Sequence, residues 1–135
     1  MKIIGTGVDI VENSRMKKSI TNNSFLNRVF TNKEILISKK LQTDCIELHT
    51  GKLSELIKSN KNFSKEFKKI NNCAKFGNSI GLEIHAGHGM DYKTTKILSK
   101  IKEIKEFNIG HFIVGESIFN GFKQVIKKIK RISKN

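Results

Sequence analysis

A chain of 135 residues that is 37% hydrophobic holds enough apolar material for one buried core, so a single domain of ordinary size is expected. A formal net charge of +14 and a pI near 9.9 would ordinarily point to nucleic acid or an anionic membrane. The charge is nearly all lysine, however, and Arg15, Arg28 and Arg131 alone offer the guanidinium fork that reads phosphate and guanine, which excludes specific nucleic-acid recognition. No apolar run approaches the roughly 20 residues that a membrane-spanning helix requires, and no charged segment followed by a long apolar one opens the chain. A cytoplasmic protein without a membrane partner is expected, with Cys45 and Cys73 as ordinary thiols of a reducing compartment. Proline is absent, so helix stops must come from glycine, asparagine and polar clusters.

The opening Lys2-Ile3-Ile4-Gly5-Thr6-Gly7-Val8-Asp9-Ile10-Val11-Glu12 reads as a strand with two glycines. Ile10 stands where a dinucleotide fingerprint requires its third glycine, so that motif is excluded. A polar stretch from Asn13 to Ser24 leads to Phe25-Leu26-Asn27-Arg28-Val29-Phe30. Thr31 and Glu34 have the spacing of a capping box, which predicts a helix beginning there and fading near Ser38-Lys39-Lys40.

From Leu41 the pattern alternates strand and helix. Cys45 to His49 predicts a strand, and Phe63, Phe67, Ile70 and Ala74 recur on one helix face. Gly81 to Ile84 predicts the second strand, and Thr95 to Ile104 a helix with Ile97, Leu98, Ile101 and Ile104 inward. Phe107-Asn108-Ile109 and Phe112-Ile113-Val114 bracket a third glycine-rich turn. The last helix, from about Gly121 to Arg131, sets Phe122, Val125, Ile126 and Ile129 against a lysine-rich opposite side, as expected of a helix covering a sheet.

All four histidines lie in this alternating part, and three stand where an apolar run gives way to glycine: His49-Thr50-Gly51, His88-Gly89 and Gly110-His111. Parallel α/β folds gather their chemistry at the carboxyl ends of the strands, which makes these turns the candidate active-site rim. Histidine moves protons near neutral pH, and glycine lets backbone N–H groups come close to a phosphate. His85 and His88 form a His-x-x-His pair, but no third ligand stands at a zinc-like spacing and a metal site is not expected there.

Residues 41 to 132 resemble the carboxyl-terminal part of pyridoxine 5'-phosphate synthase, an eight-stranded (β/α) barrel. The resemblance rests on Ile46-Glu47-Leu48-His49-Thr50-Gly51, Gly81-Leu82, Ala86-Gly87-His88-Gly89, Asn108-Ile109-Gly110-His111 and Gly121, in the family's order and at similar spacing. It implies an α/β chain carrying the last three βα units of a TIM barrel. It also implies condensation of 1-deoxy-D-xylulose 5-phosphate with 3-amino-2-oxopropyl phosphate, without metal or organic cofactor. His88 would then be the proton donor, and Gly89, Gly110 and His111 would contact the aminoketone phosphate. His49 would be a supporting residue. His85 departs from the family, which usually has asparagine there.

Residues 1 to about 36 resemble the opening of holo-acyl-carrier-protein synthase, through Gly5-Thr6-Gly7-Val8-Asp9-Ile10-Val11-Glu12 and Arg28-Val29-Phe30-Thr31-Asn32-Lys33-Glu34. This alternative implies Mg²⁺-dependent transfer of phosphopantetheine, with Asp9 as a magnesium ligand. The family's following Phe-Ala-x-Lys-Glu-Ala helix is missing, so Asp9 alone is not expected to hold the ion. The expectation is a short strand and helix from an unrelated α+β fold over residues 1–40, joined near Ile37 to Leu41 to a partial barrel over 41–135. Three strands cannot close a barrel, and their open edge favours self-association. A catalytic set lacking the earlier strands is expected to be inactive alone, and the joined chain to be either a remnant enzyme acting on small phosphorylated substrates or a product without function.

Overall fold

The computed structural model describes residues 32–133, so the expectations for Asp9 and the rest of the first 31 residues lie outside the described part. The order of elements is α1 (Asn32–Lys40), β1 (Cys45–His49), α2 (Gly51–Lys58), α3 (Ser64–Ser79), β2 (Glu83–Gly87), α4 (Tyr92–Leu98), β3 (Ile104–Asn108), α5 (His111–Asn120) and α6 (Phe122–Ile132). The strands form one parallel sheet in the order β1-β2-β3. This is an α/β arrangement compatible with three βα units of a barrel, and both outer strands have one neighbour each among the described residues.

One face of the sheet is apolar and covered. Ile46 and Leu48 of β1 and Ile84 and Ala86 of β2 are buried, together with Leu53 and Ile57 of α2, Ile70 and Ala74 of α3 and Leu98 of α4. At about 25 cal/mol per Å² of apolar surface, these side chains supply the main drive for folding. The opposite face carries Cys45, Glu47 and His49 of β1, and Glu83, His85 and Gly87 of β2, as the two-residue period of a strand requires. In β3 that period is interrupted. Ile84 pairs with Ile104 but the next residue, His85, pairs with Glu106, leaving Lys105 as the extra residue of a bulge. The bulge turns both Ile104 and Phe107 toward the helices and leaves Glu106 and Asn108 on the polar face.

Without proline, three helices close through backbone geometry. Gln42, Asn60 and Gly81 take the left-handed conformation after α1, α2 and α3. Each then donates its N–H to a carbonyl three residues back, and the following N–H reaches five residues back: Thr43 to Ser38, Lys61 to Leu56 and Leu82 to Gly77. This is the Schellman pairing, which satisfies the last carbonyls of a helix.

Several boundaries differ from the sequence expectation. β2 begins at Glu83 rather than Gly81 because Gly81 is consumed in closing α3. α4 is set by the Asp91 side chain, which accepts from the Thr94 N–H at 2.8 Å, and it ends at Leu98. Ile101 is buried from a turn instead, and Ile104 opens β3. Phe112 to Val114 lie within α5, and α2 is an additional helix. The last helix stands close to the expected bounds with Val125 and Ile129 buried, and it packs chiefly on α5 and α4. Val114, Ile118, Phe119 and Phe122 remain exposed at the α5–α6 corner.

Candidate active site

The carboxyl ends of the three strands carry the glycine and histidine turns, and side-chain and backbone contacts tie these turns together. Thr50, fully buried after β1, donates its N–H to the Gly87 carbonyl at 2.8 Å. Its hydroxyl lies 2.8 Å from both the Gly87 and the His88 carbonyl oxygens, and with one proton it donates to one of them at a time. The turn after β2 is thereby fixed to the turn after β1. His88 is held at φ +77° and Gly89 at +71°, so two successive residues are left-handed, and for His88 this is a conformation a side chain adopts only under constraint.

The His88 ring lies on that of His49, with centroids 4.2 Å apart and planes 28° from parallel. Gly51 makes this possible, because a Cβ there would stand 2.7 Å from His49 Cε1 and 2.8 Å from His88 Cδ2. Burial holds the His49 pKa below its usual value; the His88 charge acts in the same direction and Glu47 opposes both. His49 is therefore neutral near pH 7.

His88, Gly89, Gly110 and His111, the four residues singled out from the sequence, line one cavity of about 470 Å³ together with Lys58 and Asn108. His111 is the first residue of α5, and Gly110 before it supplies no side-chain cap. The first N–H groups of that helix thus have no side-chain acceptor at the cap and present partial positive charge to the cavity. The start of α5 is steadied by Phe112, whose ring stands nearly perpendicular to that of Tyr92 with centroids 4.8 Å apart. Lys128 of α6 lies 3.8 Å from the centre of the same Tyr92 ring.

On the polar sheet face below the cavity, Asn108 Nδ2 donates to Glu47 Oε2 across the middle strand. His85 does not approach His88 as a ligand pair; its Nε2 is 2.8 Å from Glu83 Oε1, two residues away on the same face of β2. Among the described residues no group of three or more His, Cys, Asp or Glu is placed to hold a metal ion. Sequence reading missed Glu47, Asn108 and Lys58 as members of the site. Glu47 carried a signal, as a charged residue between Ile46 and Leu48 in a buried strand. Lys58 carried none.

The profile of the family described as pyridoxal phosphate biosynthesis protein PdxJ matches residues 8–135. The chain is 49% identical over 134 residues to a pyridoxine 5'-phosphate synthase of Pelagibacter ubique, an alignment that covers 94% of this chain and 56% of that protein. It is 39% identical over 102 residues to the enzyme of the same name from a Sulfurihydrogenibium species, covering 76% of this chain and 41% of that one. With the Zymomonas mobilis enzyme of that name the identity is 38% over 97 residues, covering 72% and 37%. The chain thus spans about half the length, or less, of these curated relatives. The family match begins before Asp9 and crosses the expected seam at Ile37 to Leu41. An amino-terminal segment from holo-acyl-carrier-protein synthase is therefore unsupported, and the magnesium reading of Asp9 has no basis besides that resemblance.

Proposed function

Because the chain belongs to the pyridoxal phosphate biosynthesis protein PdxJ family, we propose that it carries the aminoketone-phosphate half of a pyridoxine 5'-phosphate synthase site. The full reaction joins 1-deoxy-D-xylulose 5-phosphate to 3-amino-2-oxopropyl phosphate, with loss of water and phosphate as the pyridine ring closes. The observation that carries this reading is the convergence of His88, Gly89, Gly110 and His111 on one cavity at the ends of β2 and β3.

In this reading the phosphate of the aminoketone sits against the start of α5. The Gly110 and His111 backbone and the helix end offer N–H groups to the anion, and Gly89 allows close approach from the other wall. His88 is the proton donor. Its stacked neighbour His49 stays neutral, so protonating His88 places no second cation beside it, and Thr50 fixes the turn from which it acts. Loss of water from a carbinol carbon requires a proton delivered to the departing oxygen, which an imidazolium does near neutral pH. No metal or organic cofactor is part of this chemistry.

The polar sheet face bearing Glu47, His85 and Asn108 is open, and β1 and β3 each present an edge. We propose that turnover needs the complementary strands, that the chain by itself binds without turning over, and that its open edges favour self-association. The substrates are small phosphorylated molecules of the cytoplasm, and no described helix is long and apolar enough to cross a membrane. The test is incubation of the purified chain with both substrates while pyridoxine 5'-phosphate is followed by chromatography, alongside titration with the aminoketone phosphate alone. Binding without product is expected. Failure to bind would remove the reading of the site, and turnover by the chain alone would refute the need for further strands.

A further inference from the structure

We propose that Lys58 is the cation of the phosphate subsite, holding the Gly89 carbonyl with one N–H and offering the other two to the phosphate of the bound ester. This rests on the cavity being the phosphate site of the preceding reading.

The placement follows from the packing of α2 on the turn after β2. Gly89 lies against that helix so closely that a Cβ there would stand 3.3 Å from Ser54 Cβ and 3.5 Å from Gly51 Cα. Gly51, Ser54 and Lys58 are spaced three and four residues apart, the spacing of one helix face. Lys58, one turn beyond Ser54, brings its Nζ 2.8 Å from the Gly89 oxygen, across 31 residues of sequence, and lines the same cavity as Gly110 and His111.

A lysine at the end of a helix ordinarily serves the helix, by favourable interaction with its carbonyl end. Two observations give Lys58 more than that. Its ammonium is directed to another loop, and among the described residues it has no carboxylate partner, whereas Lys52 of the same helix is paired with Glu55 at 3.1 Å and Lys69 of α3 with Glu66 at 3.9 Å. An ammonium has three donors and the Gly89 carbonyl takes one. The remaining charge and donors stand at the wall of a cavity whose other wall begins α5. A dianionic phosphate ester satisfies both, and an aminoketone without phosphate does not.

The experiment is calorimetric titration of the purified chain with inorganic phosphate, repeated with Lys58→Gln and Lys58→Arg, with thermal melts of all three. Loss of one charge-assisted contact is expected to weaken phosphate binding about tenfold in Lys58→Gln, and Lys58→Arg is expected to recover most of it. A Lys58→Gln chain that melts lower but binds phosphate like the parent would overturn the proposal and return Lys58 to a helix-end role. No phosphate binding by the parent would overturn the site reading and Lys58 with it. Should Lys58→Gln not fold, the Lys58 side-chain carbon and nitrogen signals of the parent decide the matter. They are expected to move on phosphate addition, and signals that stay still refute the contact.

Discussion

Glu47 on β1 and Asn108 on β3 are hydrogen-bonded to each other across the backbone of Gly87 on β2, so the two outer strands are tied over the middle one. Gly87 is the reason they can meet. A Cβ there would fall within contact distance of the Glu47 carboxylate and stand 3.1 Å from Asn108 Cβ. Gly87→Ala is expected to break the bond and destabilise the fold by about 1–3 kcal/mol, as overpacking does. Urea unfolding measures the loss, and the Asn108 side-chain amide resonance in NMR reports the broken bond directly; an unchanged resonance would contradict the geometry.

Thr50 offers a second point of leverage. Thr50→Val keeps the shape but removes the hydroxyl shared between the Gly87 and His88 carbonyls. The Gly87 oxygen still accepts the Thr50 N–H, whereas the His88 oxygen loses this partner. The expected cost is about 1–3 kcal/mol, read from denaturant unfolding. Looser His88 backbone dynamics should accompany it in amide exchange.

The His49 pKa, lowered by burial and by the His88 charge, has a consequence for pH. As pH falls through about 6.5, the unfolded chain takes up a proton on this side chain before the folded chain does. Stability carried by neutral His49 is therefore complete above that pH, and is lost progressively down to the lower folded pKa. His49→Gln should flatten this part of the pH–stability curve, and a proton NMR titration of the parent should place the His49 midpoint below 6.5. A midpoint at or above that value would be inconsistent with the stacked arrangement.

The two cysteines should differ in reactivity. Cys45 is exposed, whereas Cys73 is buried in α3 with its thiol pKa raised by burial, and the thiolate is the reactive form. A disulfide reagent at pH 8 is expected to modify one thiol quickly and the second only on the timescale of unfolding. Peptide mapping should assign the fast site to Cys45.

The strand β1 and the last helix were legible because their apolar residues keep a clean period, Ile46 and Leu48, then Val125 and Ile129, whereas β2 begins two residues after the expected Gly81 because that glycine closes α3. The start of the third strand at Ile104, which the sequence pattern assigns to the preceding helix, left no signal because the bulge at Lys105 breaks the alternation. Helix α2 left no signal at its start, where Gly51 is its first residue and Thr50 gives no side-chain cap. Gln42 gives no sequence hint of the left-handed turn it makes after α1. Within the site, His88, Gly89, Gly110 and His111 were visible because they sit in short local motifs. The Glu47–Asn108 and Lys58–Gly89 contacts join residues 61 and 31 positions apart, and no local spacing records a partner that distant.

The bulge in β3 also fixes how that strand can change. Substitution at exposed Lys105 alters one side chain, and even its deletion would restore strict alternation while leaving Glu106, Phe107 and Asn108 on the faces they now occupy. An extra residue between Glu106 and Asn108, by contrast, would turn Asn108 into the helix layer, away from the Glu47 carboxylate, and the start of α5 would arrive with its phase shifted by half a pleat. The spacing from Glu106 to Gly110 is thus constrained as a count of residues, separately from what those residues are, whereas the bulge before it has a residue to give.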